Sequence, residues 1–219
     1  MAIADAILNN VSTFIGAAGA LGTACFGIVE GLKWTSLGEA GFGQITKYLG
    51  SQLSGALQIA YGPEYEKVLR AQYRQDSQTQ ATIAKTLRQG VRIGLTSTNA
   101  SGIAGYLGTV DGPKLAAAAS KVTAGSDLSG DDRAAIGRFE LAVDARIDSA
   151  LSSAQDVYLG TVRTAASFLA ILIAEGVAEI MNVSLWAGLV LGVVAIPFAP
   201  IANDLVGAVQ ATTKALKAR

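Results

Sequence analysis

Charge-free stretches and charged amphipathic stretches alternate along this chain. From Ala6 to Val29 and from Ile180 to Asn203, two runs of equal length hold no Asp, Glu, Lys or Arg. A helix of about 20 apolar residues crosses the hydrocarbon of a bilayer, so each run is long enough to span one. The pattern predicts an all-α, integral membrane helical protein. It has an N-terminal span over 1–34, a soluble helical region over 35–156, a hydrophobic hairpin over 157–203 continuous with the helix before it, and a basic tail over 204–219.

The first helix is predicted from about Ile3 to Trp34. It is rich in glycine, at Gly16, Gly19, Gly22, Gly27 and Gly31. Each glycine costs a helix about 1 kcal/mol of propensity. The small-xxx-small spacings Ala18/Gly22 and Gly27/Gly31 give a reason for that cost, because they let helix backbones approach closely in lipid. Lys33 and Trp34 mark a headgroup end. No basic residue precedes the run, which is also long for a signal-peptide core, so it reads as retained rather than cleaved.

Between the hydrophobic ends, Leu37, Phe42, Ile45, Tyr48, Leu49, Leu53, Leu57 and Ile59 recur near helical spacing until Tyr61-Gly62-Pro63 breaks the pattern. From Pro63 to Leu95, Lys67, Arg70, Arg74, Lys85, Arg88 and Arg92 fall within about 60° of one helix face. Tyr65, Leu69, Tyr73, Ile83, Leu87 and Val91 form an apolar stripe beside them. The alignment needs a helix that runs unbroken through the polar patch Gln75–Gln80. Residues 96–130 are small and polar, with turn signals at Asn99–Gly102, Asp111-Gly112-Pro113 and Thr123–Ser126. They are expected to form a long loop with one short helix over Pro113–Val122.

Ser129 and Asp132 have capping-box spacing. No proline follows until Pro197, so one helix is predicted to run to about Met181. Ile136, Ile147, Tyr158, Leu169 and Ile180 repeat every 11 residues, filled in by Phe139, Val143, Leu151, Ala154 and Val162. At 1.5 Å per residue this helix would be roughly 75 Å long. A turn at Asn182-Val183-Ser184 then leads to the apolar Leu185–Ile196, with Trp186 at an interface position and Pro197 and Pro200 ending the helix.

Flanking charge orients these elements. Lys33 and Lys47 follow the first span, Arg146 and Arg163 precede the hairpin, and Lys214, Lys217 and Arg219 follow it. The hairpin tip has Glu175 and Glu179 and no base. The positive-inside rule then places the amino terminus outside a cell membrane, 33–163 in the cytoplasm, the tip outside and the tail inside, with three crossings. Only Thr164–Ala174 is charge-free in the middle crossing, about 17 Å of helix. Glu175 and Glu179 are candidate pore or hairpin-tip acids, which must face a helix, water or headgroups.

The bulk composition sharpens this picture without naming a chemistry. Of the 219 residues, 51% are hydrophobic and 16% charged, against about a quarter charged in a soluble domain. The formal net charge is +0, so overall charge implies no partner. The one cysteine, Cys25, permits no intrachain disulfide, and there is no histidine. The usual general base and metal ligand are therefore missing. Gly108–Lys114 lacks P-loop spacing. Asp127, Asp131 and Asp132 do not fit an EF-hand loop, because Arg138 stands where a Glu is needed. Asn99-Ala-Ser101 and Asn182-Val-Ser184 match glycosylation sequons, a pattern short enough to arise by chance. No catalytic residue, cofactor or metal is expected, and the chain reads as a non-enzyme.

The basic stripe has three readings, in this order. It pairs with acids of the same assembly, for which Glu140, Asp144 and Asp148 form an i, i+4, i+8 row; it contacts anionic lipid headgroups; or it binds nucleic acid, which the lack of interleaved aromatics disfavours. A soluble helical part with a hydrophobic hairpin is shared by pore-forming toxins and many ordinary membrane proteins, so the likeness stays at architecture. The leading expectation is a structural protein that self-assembles in the membrane as a homo-oligomeric ring, pore or scaffold. The alternatives are an accessory subunit docked on other membrane subunits, and a soluble-to-membrane pore former.

Overall fold

The computed structural model describes residues 11–32, 35–74 and 79–197, and every regular element among them is helical. In chain order these are α1 (Val11–Gly31), a 3-10 turn (Ser36–Glu39), α2 (Phe42–Tyr61), α3 (Tyr65–Arg74), α4 (Thr79–Ile93), α5 (Ala100–Leu107), α6 (Gly112–Thr123), α7 (Gly130–Ile180) and α8 (Leu185–Ala195). Lys33, Trp34, residues 75–78 and the tail with Lys214, Lys217 and Arg219 lie outside the described residues. The chain divides into two compact units, one of residues 1–37 and 159–219, the other of 38–158, and α7 contributes to both.

The unit of 38–158 has a core of large side chains. Phe42, Ile45, Leu49, Leu53 and Leu57 of α2, Leu69 of α3, Ile83 and Leu87 of α4, Ile103, Leu115, Phe139 and Ile147 are buried together. Full burial of such a side chain is worth about 1.5–3 kcal/mol, which is how a soluble domain is held. Tyrosine hydroxyls tie the helices at their ends. Tyr61 donates to Thr86 O at 2.9 Å and Tyr73 to Ala40 O at 2.9 Å. Burial pushes the Tyr73 phenol up to about 12, so it remains a donor through the neutral range.

α2 kinks at Gly50, whose φ of 59° and ψ of −179° interrupt the helix. The break frees the Tyr48 carbonyl, which must find another donor. Arg146 Nε donates to it at 2.9 Å and Tyr106 OH at 2.6 Å, while Arg146 Nη2 also donates to Tyr106 OH at 2.7 Å. The Arg146 guanidinium lies 4.8 Å from the Tyr106 ring centroid. Only glycine fits at 50, because a Cβ there would meet the Tyr106 ring at 2.9 Å and left-handed φ disfavours other residues. Arg146, which the flanking-charge argument used as a topogenic residue, therefore has a structural task.

Three sequence expectations change. The long loop over 96–130 contains two helices, α5 and α6. Asn99 precedes α5, accepting from Thr96 N at 2.8 Å and donating to Gly94 O at 2.7 Å. Asp111 caps α6 by accepting from Lys114 N at 3.1 Å. These helices bury mainly alanine, at Ala100, Ala104, Ala118 and Ala119, so their periodic signal is weak. The basic stripe is divided between α3 and α4, which both pack on α2 and on each other. The 11-residue series leaves the buried face, since Ile180 is 82% exposed. The seam of α7 instead steps through Val162, Ala166, Ala170, Ala174 and Ala178, all buried.

α7 begins as its sequence spacing implies. Ser129 Oγ accepts from Asp132 N at 3.2 Å, and Asp132 Oδ2 accepts from Ser129 N at 2.8 Å, which is a reciprocal capping box. Ser129 Oγ at 2.6 Å and Lys121 Nζ at 2.5 Å also donate to the same carboxylate. The Lys121 and Ser129 side-chain donors hold the Asp132 carboxyl at about 2.

Candidate functional site

The unit of 1–37 and 159–219 is built from α1, α8 and the C-terminal part of α7, and its packing is inverted relative to a soluble core. Its buried positions are small. Ala18, Gly22 and Cys25 of α1, Ala166, Ala170, Ala174 and Ala178 of α7, and Gly188, Gly192 and Ala195 of α8 are covered. Phe26 and Val29 are the larger buried members of α1. Its outer positions are large and apolar: Phe168 is 67% exposed, Leu172 55%, Leu185 60% and Trp186 70%.

Glycine permits this packing. A Cβ on Gly188 would lie 2.9 Å from Ala178 Cβ and 3.0 Å from Ala174 O. One on Gly192 would lie 2.8 Å from Ile171 Cα. The α7 alanine ladder at i, i+4, i+8 and i+12 thus meets glycines four apart on α8, so the two backbones touch. Close approach of small residues is how helices associate where water supplies no hydrophobic drive. Among the described residues one helix, α7, is long and apolar enough to cross a membrane; Ile15–Val29 and Leu185–Ala195 are shorter apolar helices.

The five glycines singled out in α1 do not share one role. Gly22 is buried and Gly19 half-buried, on the face that packs within the unit. Gly16, Gly27 and Gly31 are exposed, with nothing within 4 Å of an added Cβ. At about 100° per residue, Gly16, Ala20, Thr23, Gly27 and Gly31 fall on one side of α1, opposite Ala18, Cys25 and Val29. All five are exposed. Glu175 is half-buried and Glu179 exposed.

The basic residues of the stripe find different surroundings. Arg88 Nη2 donates to Asp148 Oδ1 at 2.7 Å, and Arg92 Nε lies 3.0 Å from Glu140 Oε1. Arg88 Nε is 2.9 Å from Asp144 Oδ1 but misaligned for a hydrogen bond, so that contact is electrostatic. Arg70 Nη1 donates to Glu39 Oε2 at 2.7 Å and its guanidinium sits 4.7 Å from the Phe42 ring centroid. Lys67 pairs with Glu64 within one turn. Lys85 is exposed, and the Arg74 side chain lies outside the described residues. Three arginines of the stripe are thus engaged within the chain, and Glu140, Asp144 and Asp148 receive two of them.

Among the described residues no group of three His, Cys, Asp or Glu could hold a metal. A shallow open depression of about 540 Å³ is lined by Tyr48, Asp148, Ser149, Ser152, Ser153 and Asp156. Its lining combines two carboxylates with three serines. The first sequon is spent on structure, with the Asn99 amide bonded to Gly94 O and Thr96 N. The alanine ladder and its facing glycines are what sequence reasoning missed. Their signal, alanine at every fourth position from 166 to 178 and glycine at 188 and 192, was present in the chain. No protein-family model, curated protein or solved structure matches the chain.

Proposed function

We propose that this chain is an integral membrane protein that self-assembles through its first helix into a homo-oligomeric ring, pore or scaffold, without a catalytic role. The observation that carries the reading is the inverted packing of the 1–37 and 159–219 unit: small residues inside, Phe168, Leu172, Leu185 and Trp186 outside. In water that arrangement would expose large apolar area and bury little. In lipid it costs nothing to expose and gains by packing. The amino terminus lies outside and the 38–158 unit in the cytoplasm, as the flanking bases direct.

Self-assembly rests on the second face of α1. Large apolar side chains suit lipid, and a face of Gly16, Ala20, Thr23, Gly27 and Gly31 suits another helix. The accessory-subunit reading fills that face with a different chain. A pore former that stores its hairpin in a soluble bundle would cover Phe168 and Leu172, which are exposed. The test is the mass of detergent-extracted particles. Gly27→Leu, on the outward face, lowers the mass to that of one chain while the fold is kept. A monodisperse mass unchanged by Gly16→Leu and Gly27→Leu together overturns self-assembly through α1.

A further inference from the structure

The turn joining α7 to α8 has an unusual surface. Ile180 is 82% exposed, Met181 67%, Val183 49%, Leu185 60% and Trp186 70%, and only Asn182 and Ser184 interrupt them. A turn that emerges into water is ordinarily polar. Here the apolar exterior of the hairpin continues over its end.

The backbone of the turn is closed on itself. Met181 N donates to Val177 O at 3.0 Å, Asn182 N to Glu179 O at 3.1 Å and Val183 N to Ala178 O at 2.9 Å. Asn182 takes the left-handed conformation, φ 51°, that ends a helix in this way. Internal satisfaction of backbone groups is the condition for a turn to leave water. The closure is incomplete on the α8 side, where the Ser184 side chain makes no capping bond. Ala187 N donates back to Ser184 O at 2.8 Å; the donors before it, on Leu185 and Trp186, need polar groups from outside, which the hydrocarbon lacks and the headgroup layer has.

Length points to the same depth. Arg163 is the last base before the turn and is exposed. From there to Ile180 is about 26 Å of helix, and hydrocarbon is about 30 Å thick. With Arg163 reaching one headgroup layer, the turn arrives at the opposite layer with nothing left to project beyond it. Trp186 suits that layer. Glu179, exposed and one residue before Ile180, reaches its headgroups. No base lies on the turn, so anionic headgroups are not what it recognises.

We infer that the α7–α8 turn, Ile180–Trp186, is a lipid-contact site seated in the interfacial layer of a zwitterionic bilayer, and does not emerge as an aqueous loop. The inference rests on the membrane reading above and departs from the flanking-charge expectation of a hairpin tip outside. It is tested in phosphatidylcholine vesicles with the full chain. A Cys25→Ala background carries Met181→Cys, or Ser126→Cys as an aqueous control. A membrane-impermeant maleimide added to both sides labels Met181→Cys at least about tenfold more slowly than Ser126→Cys, until detergent is added. In a Trp34→Phe chain, which leaves the turn intact, Trp186 emission is blue-shifted, quenched by brominated lipid and indifferent to added phosphatidylserine. Fast labelling of Met181→Cys, or Trp186 quenched by aqueous iodide and not by brominated lipid, overturns the inference while membrane residence stands. Release of the unmodified chain by alkaline carbonate overturns both.

Discussion

Gly192 of α8 and Ile171 of α7 meet across the hairpin with no space for a side chain between them, since a Cβ on Gly192 would lie 2.8 Å from Ile171 Cα. The neighbouring atoms, Ile171 Cα, Ala170 O and Ala174 Cβ, are backbone or fixed to it and cannot move aside alone. Gly192→Leu should therefore destabilise the hairpin by about 1–3 kcal/mol or more through overpacking. Leu172→Ala, at a 55% exposed position on α7, should change stability by no more than about 0.5 kcal/mol. Denaturant titration in detergent reads both.

The Gly50 kink and Arg146 act as a pair in the 38–158 unit. Arg146→Met strands the Tyr48 carbonyl with Tyr106 OH as its remaining donor. Loss of a hydrogen bond from a charged donor costs about 1.5–3 kcal/mol. Gly50→Ala should destabilise the same unit by at least about 1 kcal/mol, from left-handed φ and the Tyr106 contact together. Thermal unfolding of both variants checks this, and the double variant should cost less than the sum because the residues share one network.

Asp132 sets a pH window. Its folded carboxyl titrates at about 2, below the ordinary 3.8, because Lys121 and Ser129 donate to the charged form. A depressed acid contributes stability above its unfolded value and loses it as pH falls through the folded one. The unfolding midpoint should thus decline between about pH 4 and pH 2. Asp132→Asn should flatten that decline while lowering stability at neutral pH.

Arg88 is about a third exposed and Asp148 about two thirds, so their pairing should be weak despite a 2.7 Å contact. A double-mutant cycle should return a coupling of at most about 1 kcal/mol, reduced by salt. If the stripe instead served anionic lipid, Arg88→Ala and Arg92→Ala would lower binding to phosphatidylserine vesicles by about 1 kcal/mol each. With both arginines engaged by acids, that loss should be small.

Much of the helical order was legible, for reasons particular residues make plain. Gly62 and Pro63 stop α2, and Ser129 with Asp132 starts α7, because turn and cap chemistry is local. The helices α5 and α6 were hidden because alanine buries too little to mark a period, and Asn99 and Asp111 signal turns and caps alike. The polar patch Gln75–Gln80 marked the weak point of the basic stripe, and the shared packing of α3 and α4 on α2 shows the stripe divided there. Glycine in α1 stood out while Gly188 and Gly192 did not, because a glycine's value depends on what faces it, here Ala174, Ala178 and Ile171 on α7. In the sequence Arg146 shows only its charge; its geometric role depends on the kink at Gly50, nearly a hundred residues away.

The inside-out packing is tested most directly by spin labels on exposed apolar positions of each unit, in a Cys25→Ala chain reconstituted in vesicles. Labels replace Phe168 and Leu189 in one unit and Leu141, 72% exposed, in the other. The account predicts that Phe168→Cys and Leu189→Cys labels relax with dissolved oxygen and are shielded from an aqueous nickel complex, while Leu141→Cys shows the reverse. Equal nickel access at all three positions would contradict it.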